Sequence, residues 1–202
     1  MKIIESEIGA HGYSTLEWNT VRRVIHATAD FDFAIPDKNR IIFSTNAIDM
    51  AFEAFKKRRC IVVDVDMVLS GINKKSVAKI GTRVISNISN HELIKVSKSE
   101  NKTRSALAMR FSSQEIDGGI VAIGNAPTAL YEVINMIREG AVRPSLVIGI
   151  PVGFVSASES KLELSKTNAE FITNIGRKGG SPVASSIINA LMLLYINRNK
   201  IV

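Results

Sequence analysis

Cysteine, histidine and aromatic residues are scarce in this chain of 202 residues, and each scarcity removes a class of chemistry. The single cysteine, Cys60, cannot close an internal disulfide, which argues against a stapled secreted scaffold and for a reducing compartment, the cytoplasm by default. His11, His26 and His91 stand far apart with only that one cysteine beside them, so no metal-ligand spacing exists and no metal site is expected. His91-Glu92 lacks the second histidine of a zinc protease. No Gly-x-Gly occurs, which removes the dinucleotide fingerprint, and there is neither a Walker A sequence nor a Gly-x-Ser-x-Gly elbow. Ser76-x-x-Lys79 and Ser158-x-x-Lys161 each match the first element of a β-lactamase-like motif, but the companion Ser-Asp-Asn and Lys-Thr-Gly elements are missing.

No apolar run long enough for a membrane span is present either. Met1-Lys2-Ile3-Ile4-Glu5 places an acid where a signal peptide would need apolar residues, so no secretion signal is expected. The uncharged stretch from Gly179 to Asn197 carries Pro182, Ser185, Ser186 and Asn189, and its apolar part is shorter than the ~20 residues a bilayer requires. It reads as a buried helix, and no membrane partner is expected.

What is present is a globular composition, 46% hydrophobic and 22% charged, sufficient for one core, so residues 1–202 are expected to form a single domain. The net charge of +7 raises nucleic acid as a partner, but residues 1–101 carry 15 basic and 12 acidic side chains against 11 and 7 in residues 102–202. The surplus is spread over both halves. Its densest run, Lys56-Lys57-Arg58-Arg59, precedes an apolar segment and reads as a solvated helix end. With neither a concentrated basic face nor stacking aromatics, no nucleic-acid partner is expected.

Short β-branched runs alternate with helical patterns. Ile41–Phe43, Cys60–Val63, Val84-Ile85, Ile120–Ile123, Leu146–Ile150 and Phe171-Ile172 read as strands, several apolar on both faces as in a covered parallel sheet. Ser14-Thr15-Leu16-Glu17 is a capping box opening a helix to about Ala29, and further helices are expected from Ala47 to Lys57, Thr103 to Phe111, Thr128 to Glu139 and Pro182 to Arg198. The expected fold is α/β: three layers, α/β/α, around a mostly parallel sheet, Rossmann-like without the dinucleotide fingerprint.

Three expected strands end in small or glycine-rich turns: Gly124-Asn125-Ala126-Pro127-Thr128, Pro151-Val152-Gly153-Phe154 and Gly176 to Ser181. Ligands of open α/β sheets sit outside the carboxyl ends of the strands, so these turns should converge on one crevice, although turn geometry alone also selects glycine and proline. One acid–base group stands out. His26 lies near a helix end with Arg22 one turn back and Asp30 one turn forward, a cation and an anion that would tune it in opposite directions. On spacing alone, a partly buried histidine bonding its neighbours fits the same pattern.

Taken together, these segments resemble the precorrin-8X methylmutase family, including its cobalt-precorrin-8 branch. The resemblance is carried by Arg23-x-x-His26-Ala27-Thr28-x-Asp30; Asp64-Val65-Asp66-Met67-Val68 with Gly71-Ile72; Thr103-Arg104-Ser105; Val121 to Leu130; Gly149 to Val155 with Glu159-Ser160-Lys161; and Gly179-Gly180-Ser181 with Asn189-Ala190-Leu191. It implies an isomerase that moves a methyl group from an α-carbon to the adjacent β-carbon of ring C of a corrin precursor, giving hydrogenobyrinate or, with cobalt, cobyrinate. No methyl donor and no separate cofactor are implied, although the substrate itself can carry cobalt. The resemblance implies His26 as proton donor to the macrocycle and a homodimer with the tetrapyrrole site near its interface.

A substrate with many carboxylates around an apolar ring wants dispersed cations and backbone donors. Arg104 is the leading candidate, with Arg22, Arg23 and Lys161 behind it. Asn125, Ala126, Pro127, Thr128 and Gly153 line the expected turns, Thr103 adjoins Arg104 in the Thr103-Arg104-Ser105 block, and Gly179, Gly180 and Ser181 offer amides at a helix start. Two departures from the family pattern stand out: a short segment before Glu5-Ser6, and Lys102 directly ahead of Thr103-Arg104 where relatives often have an uncharged residue. The same residues would also serve a non-catalytic corrinoid carrier.

Overall fold

The protein is described here as a computed structural model covering residues 2–99 and 102–198. Six short strands form one sheet: β1 (Ile41–Phe43), β2 (Ile61–Val63), β3 (Val84–Ser86), β4 (Ile120–Ile123), β5 (Leu146–Gly149) and β6 (Phe171–Asn174), in the spatial order β1-β6-β5-β4-β2-β3. Every neighbouring pair is parallel except β1 with β6, where Ile41 faces Asn174 and the chain runs backwards. The helices are α1 (Lys2–Ile8), α2 (Thr15–Thr28), α3 (Ala47–Lys56), α4 (Asp66–Gly71), α5 (Lys74–Ile80), α6 (His91–Ser99), α7 (Arg104–Phe111), α8 (Ser113–Ile116), α9 (Pro127–Arg138), α10 (Ala157–Ser165) and α11 (Ser181–Arg198).

The strands are apolar on both faces because helices cover both. Ile61, Val63, Ile120, Ala122, Leu146 and Ile148 pack with α2, α3, α4, α5 and α11, whereas Val62, Val121, Ile123 and Val147 point the other way, toward α7, α9 and α10. Three layers result. Helix α11, uncharged until its last residue, is the keel of the first layer, touching α2, α3, α4 and α5 as well as β4 and β5. Among the described residues no helix is long and apolar enough to cross a membrane, and the stretch within Gly179 to Asn197 forms this buried helix.

Asn189 ties α11 to its neighbours from the middle of the helix: its amide donates to Gly71 O at 2.8 Å and its oxygen accepts from Asn73 N at 2.8 Å. The capping box at Ser14 is formed, with Ser14 Oγ accepting from Glu17 N and the Glu17 carboxylate accepting from Ser14 N. Lys56 to Arg59 are exposed at the end of α3, at the opposite pole of the sheet from the glycine turns.

Several boundaries depart from the sequence reading. Cys60 precedes β2, Ile150 follows β5, and β6 runs on to Asn174 because Thr173 and Asn174 are buried polar residues that pair with the ladder and the loop beyond. Six helices were not expected: α1, α4, α5, α6, α8 and α10. The shortest are too brief to display a period. Helix α10 inverts the usual pattern, burying Ala157, Ser160, Lys161 and Leu164 while leaving Leu162 58% exposed, so hydrophobic periodicity cannot find it.

Candidate functional site

The parallel strands all end on one side of the sheet, and a chain of contacts links the loops that leave them. Asp64, the residue after β2, is fully buried, and its carboxylate accepts from the amides of Gly124 at 3.0 Å, Asn125 at 2.8 Å and Ala126 at 2.8 Å. Burial holds this carboxyl above the ordinary carboxylate range, and the three amides pull against that shift. Gly124 in turn lies against the start of α11: a Cβ there would stand 2.9 Å from Ser181 Cα. Ser181 is buried at the first position of that helix.

The loops after β5 and β6 are laced together. Gly180 N donates to Ile150 O at 3.0 Å and Gly153 N to Arg177 O at 3.1 Å. A Cβ on Gly179 would lie 2.5 Å from Ile150 O, so only glycine fits this crossing. On the other flank, Thr103 caps α7 through Ala106 N and its hydroxyl meets that of Thr128 at 2.8 Å, joining the start of α7 to the start of α9. Arg104 and Asn125 project from these two starts and are exposed, and Arg104 is the first residue of α7. Pro127 opens α9.

Lys178 carries the chain of contacts to α2. Its ammonium donates to Asp30 at 2.7 Å and Asp32 at 2.8 Å, and these carboxylates raise its pKa. Asp30 follows the last turn of α2, and His26 lies one turn before it, exposed rather than packed. The two ions that bracket His26 in sequence are engaged elsewhere. Arg22 pairs with Glu5 of α1 and with Asn19, and Asp30 holds Lys178 and the amide of Asp32. Arg23 is exposed beside His26.

Lys161 stands apart from the other cations. It is 1% exposed, and its ammonium donates to Asn174 Oδ1 at 3.1 Å and Lys178 O at 2.8 Å, with burial lowering its pKa to about 8. The structure thus places it beneath the Gly176–Ser181 turn, neither on the surface nor at its rim. Lys102, which departs from the family pattern, points to the buried carboxylate of Glu132 at 3.9 Å, alongside Arg110.

The expected turns therefore meet on one face with Asn125, Thr128, Gly153 and Ser181; Arg104 is joined to it through the neighbouring Thr103, and His26 lies one helical turn before the Asp30 that Lys178 holds. Sequence reasoning quoted Asp64 without giving it a role. An acid directly after three apolar strand residues was the available signal, because a carboxylate at that depth must find donors. The face is also edged with apolar side chains left in solvent: Phe154 is 85% exposed and Val155 81%, Val152 stands open just before them, and Met67 and Ile175, which follow β2 and β6, are open as well. The Arg177 guanidinium lies over the Phe154 ring at 5.6 Å. Grooves of about 570 and 590 Å³ lie elsewhere, one at the amino ends of β5 and β6 around Arg143 and Glu170, the other between α4, α5 and β3. Among the described residues, no three or more His, Cys, Asp or Glu side chains gather as a metal site.

The chain matches the precorrin-8X methylmutase family over residues 1–194. It is 45% identical over 193 residues to a cobalt-precorrin-8 methylmutase of Priestia megaterium, covering 96% of this chain and 84% of the relative. A cobalt-precorrin-8 methylmutase of Leptospira interrogans is 41% identical over 206 residues, with 98% and 92% covered. The solved precorrin-8x methyl mutase from Thermus thermophilus superimposes with a TM-score of 0.89 at 36% identity, over 98% of this chain and 93% of that one.

Proposed function

The chain belongs to the precorrin-8X methylmutase family, and from that premise we propose that the face where its glycine turns meet binds cobalt-precorrin-8 with His26 as the acid of the reaction. The activity is that of an isomerase: a methyl group migrates within a corrin precursor on the route to cobalamin. The migrating group starts and ends on the substrate, so the reading requires no methyl donor and no separate cofactor. Cobalt, where present, arrives as part of the substrate.

The observation that carries the site assignment is the placement of His26. Its exposed imidazole stands one turn from Asp30, which the Lys178 ion pair ties to the glycine turns. A proton delivered to the macrocycle makes the migration terminus more electron-poor, and a positioned acid typically contributes ~10²–10⁴-fold. Arg104, with Arg23 beside His26, supplies exposed cations for the carboxylate rim, and Arg22 reaches that rim only by giving up Glu5. Lys161 acts from below, holding the Gly179–Ser181 turn through Lys178 O rather than meeting a carboxylate itself.

The apolar residues Val152, Phe154 and Val155 offer a surface for the ring and for a second copy of the chain, which supports a homodimer with the site at its interface. A reducing compartment, taken here as the cytoplasm, suits the one buried thiol. Incubating the purified protein with cobalt-precorrin-8 tests the reading. The expected result is a shifted visible spectrum with product and substrate of equal mass, and an unchanged spectrum would overturn it.

A further inference from the structure

The sheet reverses its direction of growth between β2 and β4. From β2 the chain adds β3 on one side and then returns to lay β4 on the other. At such a reversal two neighbouring loops part and leave a crevice, and amides at the start of the following helix make it attractive to anions. Here the three converging amides, of Gly124, Asn125 and Ala126, are all taken by the carboxylate of Asp64. Asp64 also donates its own amide to Ala122 O at 3.3 Å, so the residue spans from one strand end to the other.

We propose that Asp64 is a resident anion that sets the Gly124–Thr128 loop for the methyl migration, a positioning residue that fills the amide nest so that no substrate carboxylate enters it. The backbone of the loop is spent on Asp64. What it presents to the substrate is the side chain of Asn125 and, through the Thr128–Thr103 contact, the start of α7 with Arg104. Gly124 binds this arrangement to α11, since its contact with Ser181 leaves no room for the loop to slide. The charge matters as well as the shape. In Asp64→Asn the side chain keeps its volume but turns an N–H₂ group toward backbone N–H groups, leaving donors unpaired in a dry place.

This inference rests on the site assignment above. In Asp64→Asn and Asp64→Ala, kcat/KM should fall by about 10²-fold, the loss expected of a shift of about 1 Å in a positioned group. Formate should restore much of the activity of Asp64→Ala by entering the vacated nest, whereas chloride at equal ionic strength should not. A residue that only stabilised the fold would not respond to formate. Folded variants with undiminished kcat/KM, or a loss that formate does not relieve, would overturn the proposal.

If neither variant folds, amide exchange in the wild type decides. Gly124, Asn125 and Ala126 should be protected before substrate is added and equally protected afterwards. Protection that is absent, or that changes when substrate binds, would overturn the proposal. Wild-type protein that converts nothing would sink the functional reading, while active wild type with equally active variants sinks this inference alone.

Discussion

His26 and Lys161 answer to different forces, one in solvent and the other beneath the Gly176–Ser181 turn. His26 is exposed on the last turn of α2, so removing its ring takes away little packing. His26→Ala should therefore unfold at the wild-type temperature while losing at least ~10²-fold in turnover, measured by calorimetry and by the corrinoid spectrum. Lys161 carries its charge into a dry setting, and burial takes its pKa from the ordinary 10.5 to about 8. Below pH 8 both folded and unfolded chains hold the proton, and the folded state bears the full cost of the buried charge. Between about 8 and 10.5 the unfolded chain holds a proton that the folded chain has released, so this residue's contribution to stability rises with pH. Urea unfolding of wild type and Lys161→Met at pH 7.5 and 10 should show the difference moving toward wild type, by a gain on the order of 3 kcal/mol at most. At this scale the sequence was legible where a residue acts alone. His26 and Arg104 announce themselves by type, whereas Asp64 and Lys161 take their meaning from partners 60 and 13 residues away, which spacing does not reveal.

Among the elements, α7 and α9 are joined at both ends. Thr103 meets Thr128 at the site end, and further along Arg110 binds the buried Glu132 and the exposed Glu139. Glu132 is 7% exposed, and its carboxylate is paired with Arg110 close by, with Lys102 at 3.9 Å a distant second. Arg110→Ala should cost about 2–4 kcal/mol in chemical denaturation, because it strands a buried carboxylate, while Lys102→Ala should cost less than about 1 kcal/mol. Helices with a full apolar stripe, such as α2, α3 and α9, could be read from the chain. Helix α10 could not, because its own buried face carries Lys161, bonded to neutral oxygens, and an apolar pattern is the wrong template for such a face.

For the molecule as a whole, the α/β class followed from alternating segments and the two-faced strands, and the sheet order did not. Nothing in Ile41–Phe43 says that it will lie antiparallel at the edge beside β6, because a three-residue strand carries no mark of direction. A homodimer is implied by the family resemblance alone, and the exposed run around Phe154 is where we propose a second copy sits. If a second copy covers that run, Phe154→Glu should sediment as a monomer at concentrations where the wild type is a dimer, with its unfolding midpoint lowered only by the loss of association. A variant that stays dimeric would move the interface elsewhere.

The contact between Gly124 and the first residue of α11 has a genetic corollary. A hydrogen atom stands where every other amino acid brings carbon, so each missense allele at codon 124, alanine included, would push the keel helix off the sheet at the point where the loops meet. An organism relying on this gene for its corrinoid would register that single added methyl as a nutritional requirement.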